Sequence, residues 1–224
     1  TFTPAQRAEM KRMIHDYILA NPDVIKEAIL ALPAREDIDR DQKQKSAIVS
    51  RQQELIDPAE GTVIGNPRGN ITITEFFDYN CGYCKSMFPA LMDVVKEDGN
   101  IRVVMKELPI LSPTSRTAAM AALASVKQGK YTEFHTALMS YKGKLTDKTI
   151  LDAAKEVGLD VAKLQADMKS PQIVKALERN IDLATVLQVN GTPAIIIGKT
   201  FVPGAIDKAK FKELVAAARA NPKG

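Results

Sequence analysis

Residues 1–56 contain no glycine and fall into three helical patterns. In the first, Met10, Met13, Ile14, Tyr17 and Ile18 recur at the spacing of one helix face, behind a Thr3-Pro4-Ala5-Gln6 capping box with proline at the first helical position. In the second, Val24, Ile25, Ala28, Ile29 and Leu32 share a stripe that follows an Asn21-Pro22 start signal, and Pro33 is expected to end the helix. The third balances five basic against five acidic residues over positions 35–54 and has only Ile38, Ala47, Ile48, Val49, Leu55 and Ile56 as apolar anchors. Such a helix is mostly solvated and reads as a spacer. Two apolar stripes followed by a polar spacer are hard to bury in one small core. The pattern therefore predicts a helical arm, 1–56, through which the chain associates with itself. The alternative is that all three helices fold back on the main domain.

Residues 57–70 hold two prolines and three glycines and read as a linker with one short strand at Thr62–Ile64, so a second domain is expected over 57–224. "ITITEFF" is β-branched and aromatic, as a buried strand requires; "DYN" then turns the chain into a helix from about Cys81 to Glu97, and "IRVVMKE" is the next strand. Strand, helix and strand over 71–107 imply a parallel crossover. The region 112–189 is helical in pattern, with starts at Ser112-Pro113, Thr146, Asp160 and Ser170-Pro171 and breaks at Gly129, Gly143 and Gly158. Strands return in "PAIIIG" and "TFVPG", joined by a Gly198-Lys199 turn, before a last helix capped by Asp207. The order predicts an α/β domain with a helical insert.

Composition narrows the function classes. With 224 residues, 45% hydrophobic and 26% charged, the chain can bury a full core. A net charge of +4 without a Lys/Arg-rich block or aromatic-basic interleaving argues against a nucleic-acid surface. No apolar run approaches the roughly 20 residues of a membrane helix. The opening at Thr1 fits a chain whose export signal has been removed.

The only cysteines are Cys81 and Cys84, in Cys81-Gly82-Tyr83-Cys84. Structural zinc needs four ligands, and the chain adds only His15 and His135, far away in separate predicted helices. A disulfide here closes so short a loop that it constrains the unfolded chain little. A redox pair has a physical basis: a thiolate at the first turn of a helix faces unsatisfied N–H groups and the positive end of the macrodipole, which lowers the pKa of Cys81. Cys84, one turn in, is expected to be more buried and to resolve a mixed disulfide. Glu75, near the end of an apolar strand, is expected to be a buried carboxylate with a raised pKa that moves a proton on or off Cys84. Lys106 is a candidate ion partner for it, although a solvated strand-end lysine is the simpler reading. In "VNGTPAII", a proline at the start of a buried strand makes Thr192-Pro193 a candidate cis bond, leaving Thr192 backbone groups free to pair with an extended substrate.

In combination, the C-x-x-C after a strand, the upstream glutamate, the helical insert and the Thr-Pro before a hairpin resemble the thioredoxin fold, specifically the bacterial DsbA-like thiol-disulfide oxidoreductases. The resemblance covers about residues 62–220. It implies a cis Pro193, an exposed nucleophilic Cys81, substrate contacts at Gly82, Tyr83 and Thr192, and export to the periplasm. Gly82-Tyr83 differs from the Pro-His of strongly oxidising DsbA proteins, and Thr192 is similar to the isomerases DsbC and DsbG, where DsbA proteins usually carry valine. The helical arm resembles the suppressor-of-copper-sensitivity C proteins, whose arms form trimers. What the resemblance implies is a periplasmic disulfide isomerase or reductase, a homo-oligomer with trimer favoured over dimer, working on misfolded or disulfide-bonded client proteins and with a membrane redox partner. No cofactor is required, and the reduced pair could hold Cu(I) as two soft thiolates. A monomeric dithiol oxidase, a protein whose main task is binding copper(I), and a holdase chaperone using the arm's Met and Ile stripes are the alternatives.

Overall fold

The computed structural model describes residues 2–57 and 61–221. The chain divides into two compact units, 1–44 and 45–224.

In the first unit, α1 (Pro4–Ala20) opens with the expected capping box: the Gln6 N–H donates to Thr3 Oγ1 at 3.3 Å and the Thr3 N–H to Gln6 Oε1 at 2.9 Å. None of its side chains is buried. Helix α2 (Asp23–Ser50) starts after Asn21-Pro22 but runs straight through Pro33. The expected break does not occur. Pro33 cannot donate to the Ile29 carbonyl, yet Glu27, Ala28, Leu30, Leu32, Arg35, Glu36 and Gln42 on either side are strong helix formers, and they carry the helix past one missing bond.

The second unit begins at Lys45 rather than at Asp57, because the last turns of α2 and the short α3 (Gln52–Ile56) are anchored to it. Ile48 and Leu55 are buried beside Phe76, Leu108 and Leu187. Thr74 Oγ1 donates to the Leu55 carbonyl at 3.1 Å, and Lys106 Nζ to the Asp57 carbonyl at 2.9 Å. The charged stretch read as a solvated spacer therefore ends in two core anchors.

Five strands form one sheet in the order β1-β3-β2-β4-β5: β1 (Val63–Gly65), β2 (Ile71–Phe77), β3 (Ile101–Glu107), β4 (Ala194–Ile197) and β5 (Thr200–Pro203). β2 and β3 run parallel, joined by α4 (Gly82–Asp98) as a crossover, and every other pairing is antiparallel. Gly99, in the left-handed region at φ 67°, closes α4 where the Val95 carbonyl needs a donor from a tightly reversing chain. Alternation along β2 sends Ile73, Glu75 and Phe77 to the face that α4 covers, and Thr74 and Phe76 to the face carrying Ile48 and Leu55. The helical insert comprises α5 (Pro113–Ser125), a short 3₁₀ turn, α6 (Tyr131–Ser140), α7 (Asp147–Glu156), α8 (Val161–Met168) and α9 (Pro171–Val186). Ser112, Thr146 and Asp160 cap their helices through side-chain oxygens as expected. Helix α10 (Lys208–Ala220), capped by Asp207, closes the fold against α4.

This is the thioredoxin fold with a helical insertion, preceded by a helical N-terminal region.

Candidate active site

The site forms where the C-terminal end of β2 turns into α4. Cys81 is the N-cap residue of α4, with extended backbone (φ −76°, ψ 113°), and its sulfur accepts the Cys84 N–H at 3.4 Å. Its thiol donates to the Thr192 carbonyl at 3.2 Å, and the Thr192-Pro193 bond is cis. Both cysteines are free thiols. Cys84 is fully buried, and Cys81, expected to be exposed, is only 4% exposed because it lies in the turn against the Thr192 carbonyl, whereas Tyr83 is 72% exposed and a Cβ at Gly82 would meet nothing within 4 Å. The two residues between the cysteines therefore form the outer lip of the site.

The electrostatics separate the two sulfurs. Cys81 is lowered from 9.0 to about 6, first because the Cys84 thiol donates to its thiolate, then through support from Thr192 and the Cys84 and Tyr83 N–H groups, all against the cost of burial. Among the described residues the buried Thr192 hydroxyl has no hydrogen-bond partner while Cys81 is a thiol, so it can turn toward the sulfur when that becomes a thiolate. Cys84 is pushed up, by that same donation to Cys81, by burial and by the Glu75 charge. The helix N-terminus was the cause expected for the low pKa of Cys81; the partner thiol contributes more.

Glu75 is 1% exposed and, among the described residues, neither carboxylate oxygen has a hydrogen-bond partner. Burial first, and then the Cys81 charge, raises its pKa from 4.5 to about 8. Lys106 is not its ion partner. In the parallel register Glu75 pairs with Met105, so Lys106 shares the opposite face with Phe76 and reaches Asp57 instead.

Other side chains that hold the site were not singled out in the sequence. Asp78 and Asn80 read as turn formers, yet Asp78 is 1% exposed and accepts from the Asn80 N–H at 2.7 Å and the Leu111 N–H at 3.0 Å. Asn80 Nδ2 faces Ser112 Oγ at 3.0 Å, Thr114 Oγ1 at 3.2 Å and Ser115 Oγ at 3.0 Å. The available signal was the Asp-x-Asn spacing itself, since aspartate commonly accepts the N–H two residues on. His135, weighed only as a remote metal ligand, is fully buried behind this turn: its Nδ1 meets Tyr79 Oη at 2.9 Å, within a ring cluster of Phe77, Phe88 and Tyr131. Burial lowers its pKa to about 3 and keeps it neutral. Tyr131 Oη donates in turn to Glu107 at 2.8 Å.

Among the described residues, no group of three or more His, Cys, Asp or Glu side chains could hold a metal ion. The paired sulfurs are the soft donors that remain, a set suited to two-coordinate Cu(I).

A thioredoxin sheet, a dithiol at a helix N-terminus and a cis Thr192-Pro193 bond whose Thr192 carbonyl faces the outer sulfur define a protein of the thiol-disulfide oxidoreductase class. Comparison with known proteins agrees. The family described as "DSBA-like thioredoxin domain" matches residues 72–216, and the "Copper resistance protein ScsC N-terminal domain" matches residues 6–37. A thioredoxin-like oxidoreductase from Silicibacter pomeroyi superposes with a TM-score of 0.69 at 42% identity, covering 70% of this chain and 91% of that one. A linker-deleted variant of Proteus mirabilis ScsC gives 0.73 at 29% identity, over 99% of this chain and 98% of that one. The Na(+)/H(+) antiporter NhaA 1 of Salinispora arenicola is 28% identical over 144 residues, which are 63% of this chain and only 22% of the antiporter. The chain belongs to the DSBA-like thioredoxin domain family.

Proposed function

We propose that the protein catalyses thiol-disulfide exchange on disulfide-bonded client proteins, as an isomerase or reductase in the periplasm. The observation that carries this reading is the division of labour between the sulfurs: Cys81 ionises near about 6 while buried Cys84 holds its proton. The Cys81 thiolate attacks a client disulfide, forming a mixed disulfide and releasing one client thiolate. Cys84 then attacks the Cys81 sulfur, giving its proton to Glu75. The Cys81–Cys84 disulfide forms and the second client thiolate leaves, so the client is reduced by two electrons and the pair is oxidised. Isomerisation follows when a different client cysteine thiolate attacks the client sulfur of the mixed disulfide before Cys84 does, forming a new client disulfide and releasing Cys81 as its thiolate. Thr192 and Pro193 border the outer sulfur, and Gly82, Tyr83 and Thr192 line the approach to it.

The arm supports self-association. Met13, Ile14, Tyr17, Ile25, Ile29 and Leu32 are all exposed, within a region similar to the ScsC N-terminal domain over residues 6–37. A trimer is favoured over a dimer, with catalytic units facing a shared client and a membrane redox partner resetting the pair. The test is light scattering together with refolding of a scrambled-disulfide substrate, for the full chain and for one beginning at Lys45. The expected result is an oligomeric full chain that isomerises and a monomeric short chain that only oxidises. A monomeric full chain overturns the isomerase reading and leaves a dithiol oxidase.

Copper(I) binding is a second role of the same sulfurs. It requires both thiols to lose their protons, so it competes with exchange. Cu(I) titration should show one site per chain, lost in Cys81→Ser; retention in that variant removes the role.

A further inference from the structure

The turn between β2 and α4 is held by one residue through three separate groups. The Asp78 carbonyl accepts the Cys81 N–H at 3.0 Å, and the Cys81 sulfur in turn accepts the Cys84 N–H at 3.4 Å. Its carboxylate, 1% exposed, divides its two oxygens: Oδ1 takes the Asn80 N–H at 2.7 Å, closing a local turn, and Oδ2 takes the Leu111 N–H at 3.0 Å from the loop after β3. The same loop is tied down again by Asn80 Nδ2, which faces the hydroxyls of Ser112, Thr114 and Ser115 where α5 begins. Two hydrogens on that nitrogen cannot serve all three hydroxyls at once, so the cluster shares them, with Ser112 Oγ also accepting the Ser115 N–H at 3.1 Å. A turn alone needs only the first carboxylate oxygen. The second joins segments 33 positions apart in sequence and fixes the residue whose carbonyl holds the Cys81 N–H.

We propose that Asp78 is a positioning residue for the resolving step: by clamping the 78–80 turn to the 111–115 loop it holds Cys84 in line with the Cys81 sulfur. The inference rests on the exchange reading above and deepens it. In the mixed disulfide, Cys84 must approach the Cys81 sulfur along the axis of the bond to the client sulfur. Its own backbone cannot set that line alone, because the Cys81 end of the helical turn is fixed through the Asp78 carbonyl. If the clamp is cut, attack on the client by Cys81, which needs its low pKa and an approach past the exposed Gly82-Tyr83 lip, persists. Resolution, which needs the alignment, slows. Misplacement of about 1 Å costs on the order of a hundredfold in such a step.

The test uses the reduced full chain with oxidised glutathione as the probe, acid-quenched over time and read by intact mass. Two variants separate the bonds. Asp78→Ser keeps a hydroxyl that can accept the Asn80 N–H but cannot also reach Leu111; Asp78→Asn keeps one oxygen and turns an NH₂ toward the Leu111 N–H. The expected result is glutathionylated Cys81 persisting about tenfold or more longer in both variants than in wild type, with its rate of formation nearly unchanged. In a Cys81→Ser background, alkylation of Cys84 should rise by a similar factor. Melting temperatures are recorded alongside, because a purely structural role lowers them without changing the ratio of mixed to intramolecular disulfide. If either variant folds and that ratio stays at the wild-type value, Asp78 does not position the resolving thiol. If both variants fail to fold, Asn80→Ala cuts the clamp from its other side and is read in the same way. Wild type that forms neither the mixed nor the intramolecular disulfide overturns the exchange reading itself, and the positioning role with it.

Discussion

The Cys81 thiol and the Thr192 carbonyl, 111 positions apart in the chain, meet at 3.2 Å across the mouth of the site. The contact links the N-terminus of α4 to the start of β4, so the outer sulfur and the backbone that borders it are held in one register. The same residue carries a second group, the Thr192 hydroxyl, that is buried and, among the described residues, without a hydrogen-bond partner while Cys81 is a thiol. The site thus keeps a donor in reserve for the thiolate.

Replacing Thr192 by valine, which has the same shape and no hydroxyl, tests that donor. The Cys81 titration followed by thiolate absorbance should move up from about 6, because one source of thiolate support is gone. The oxidised protein, in which the hydroxyl serves no thiolate, should become more stable by about 1 kcal/mol through loss of an unsatisfied polar group. A Cys81 midpoint that does not move means the hydroxyl plays no part in ionisation.

Stability should depend on pH differently in the two redox forms. Folded Glu75 has a pKa of about 8 against 4.5, so between those values the folded protein keeps a proton that the unfolded chain releases, and stability falls as pH rises. Reduced Cys81 has about 6 against 9.0; there the unfolded chain keeps the proton, and stability rises with pH across that window. Oxidised protein lacks the thiolate and shows only the Glu75 decline. Melting curves of both forms between pH 4.5 and 9 should therefore diverge, the reduced form gaining on the oxidised one above about 6. Glu75→Gln should flatten the oxidised profile. An oxidised wild-type profile already flat over this range means that Glu75 ionises like a solvated carboxylate.

The junction of α2 and α3 with the sheet makes a stability prediction that the charge pattern concealed. Leu55 is 2% exposed and its carbonyl takes the Thr74 hydroxyl at 3.1 Å. Leu55→Ala should cost about 2–5 kcal/mol of the second unit's stability in denaturant unfolding. A chain begun at Asp57 should likewise unfold more readily than one begun at Lys45. Equal midpoints for the two truncations would show that the junction contributes nothing to the second unit.

The elements that depend on local pattern were legible in the sequence. Strand β2 announced itself by β-branched and aromatic residues, the helix starts by Ser112, Thr146 and Asp160, and the dithiol by its place after a strand. What escaped reading depends on partners distant in sequence. Pro33 looked like a stop because its missing N–H is visible in the sequence and the strength of the turns around it is not. Ile48 and Leu55 sit in a charged stretch, and only the sheet face with Phe76 reveals them as core. Lys106 was a candidate partner for Glu75, with a solvated strand-end lysine the simpler reading; it is neither, because register places it on the other face and it is 5% exposed. Asp78 and Asn80 belong to the site through bonds to Leu111 and Ser112, which no local spacing encodes.

The end of α9 was unreadable for a related reason, and it yields the last prediction. A helix that stops sharply usually does so at glycine, and here the sequence offers Leu187-Gln188-Val189 with no stop signal. The structure ends α9 at Val186 with a Schellman motif: the Val189 N–H donates to the Ala184 carbonyl at 2.8 Å and the Gln188 N–H to the Thr185 carbonyl at 3.0 Å. Gln188 takes the left-handed conformation, φ 55°, the one non-glycine residue among those described to have positive φ. Buried Leu187 and Val189 on either side hold it there, and the turn delivers the chain to Thr192. A side chain in that region costs about 1 kcal/mol relative to glycine. Gln188→Gly should therefore raise the unfolding free energy by about 0.5–1 kcal/mol, the gain being trimmed by the extra freedom of glycine in the unfolded chain. Gln188→Val, β-branched and least tolerant of positive φ, should lower it by more than that. Denaturant midpoints for the two variants give the answer, and a destabilised glycine variant would mean that the Gln188 side chain, although exposed, makes a contribution larger than the strain it imposes.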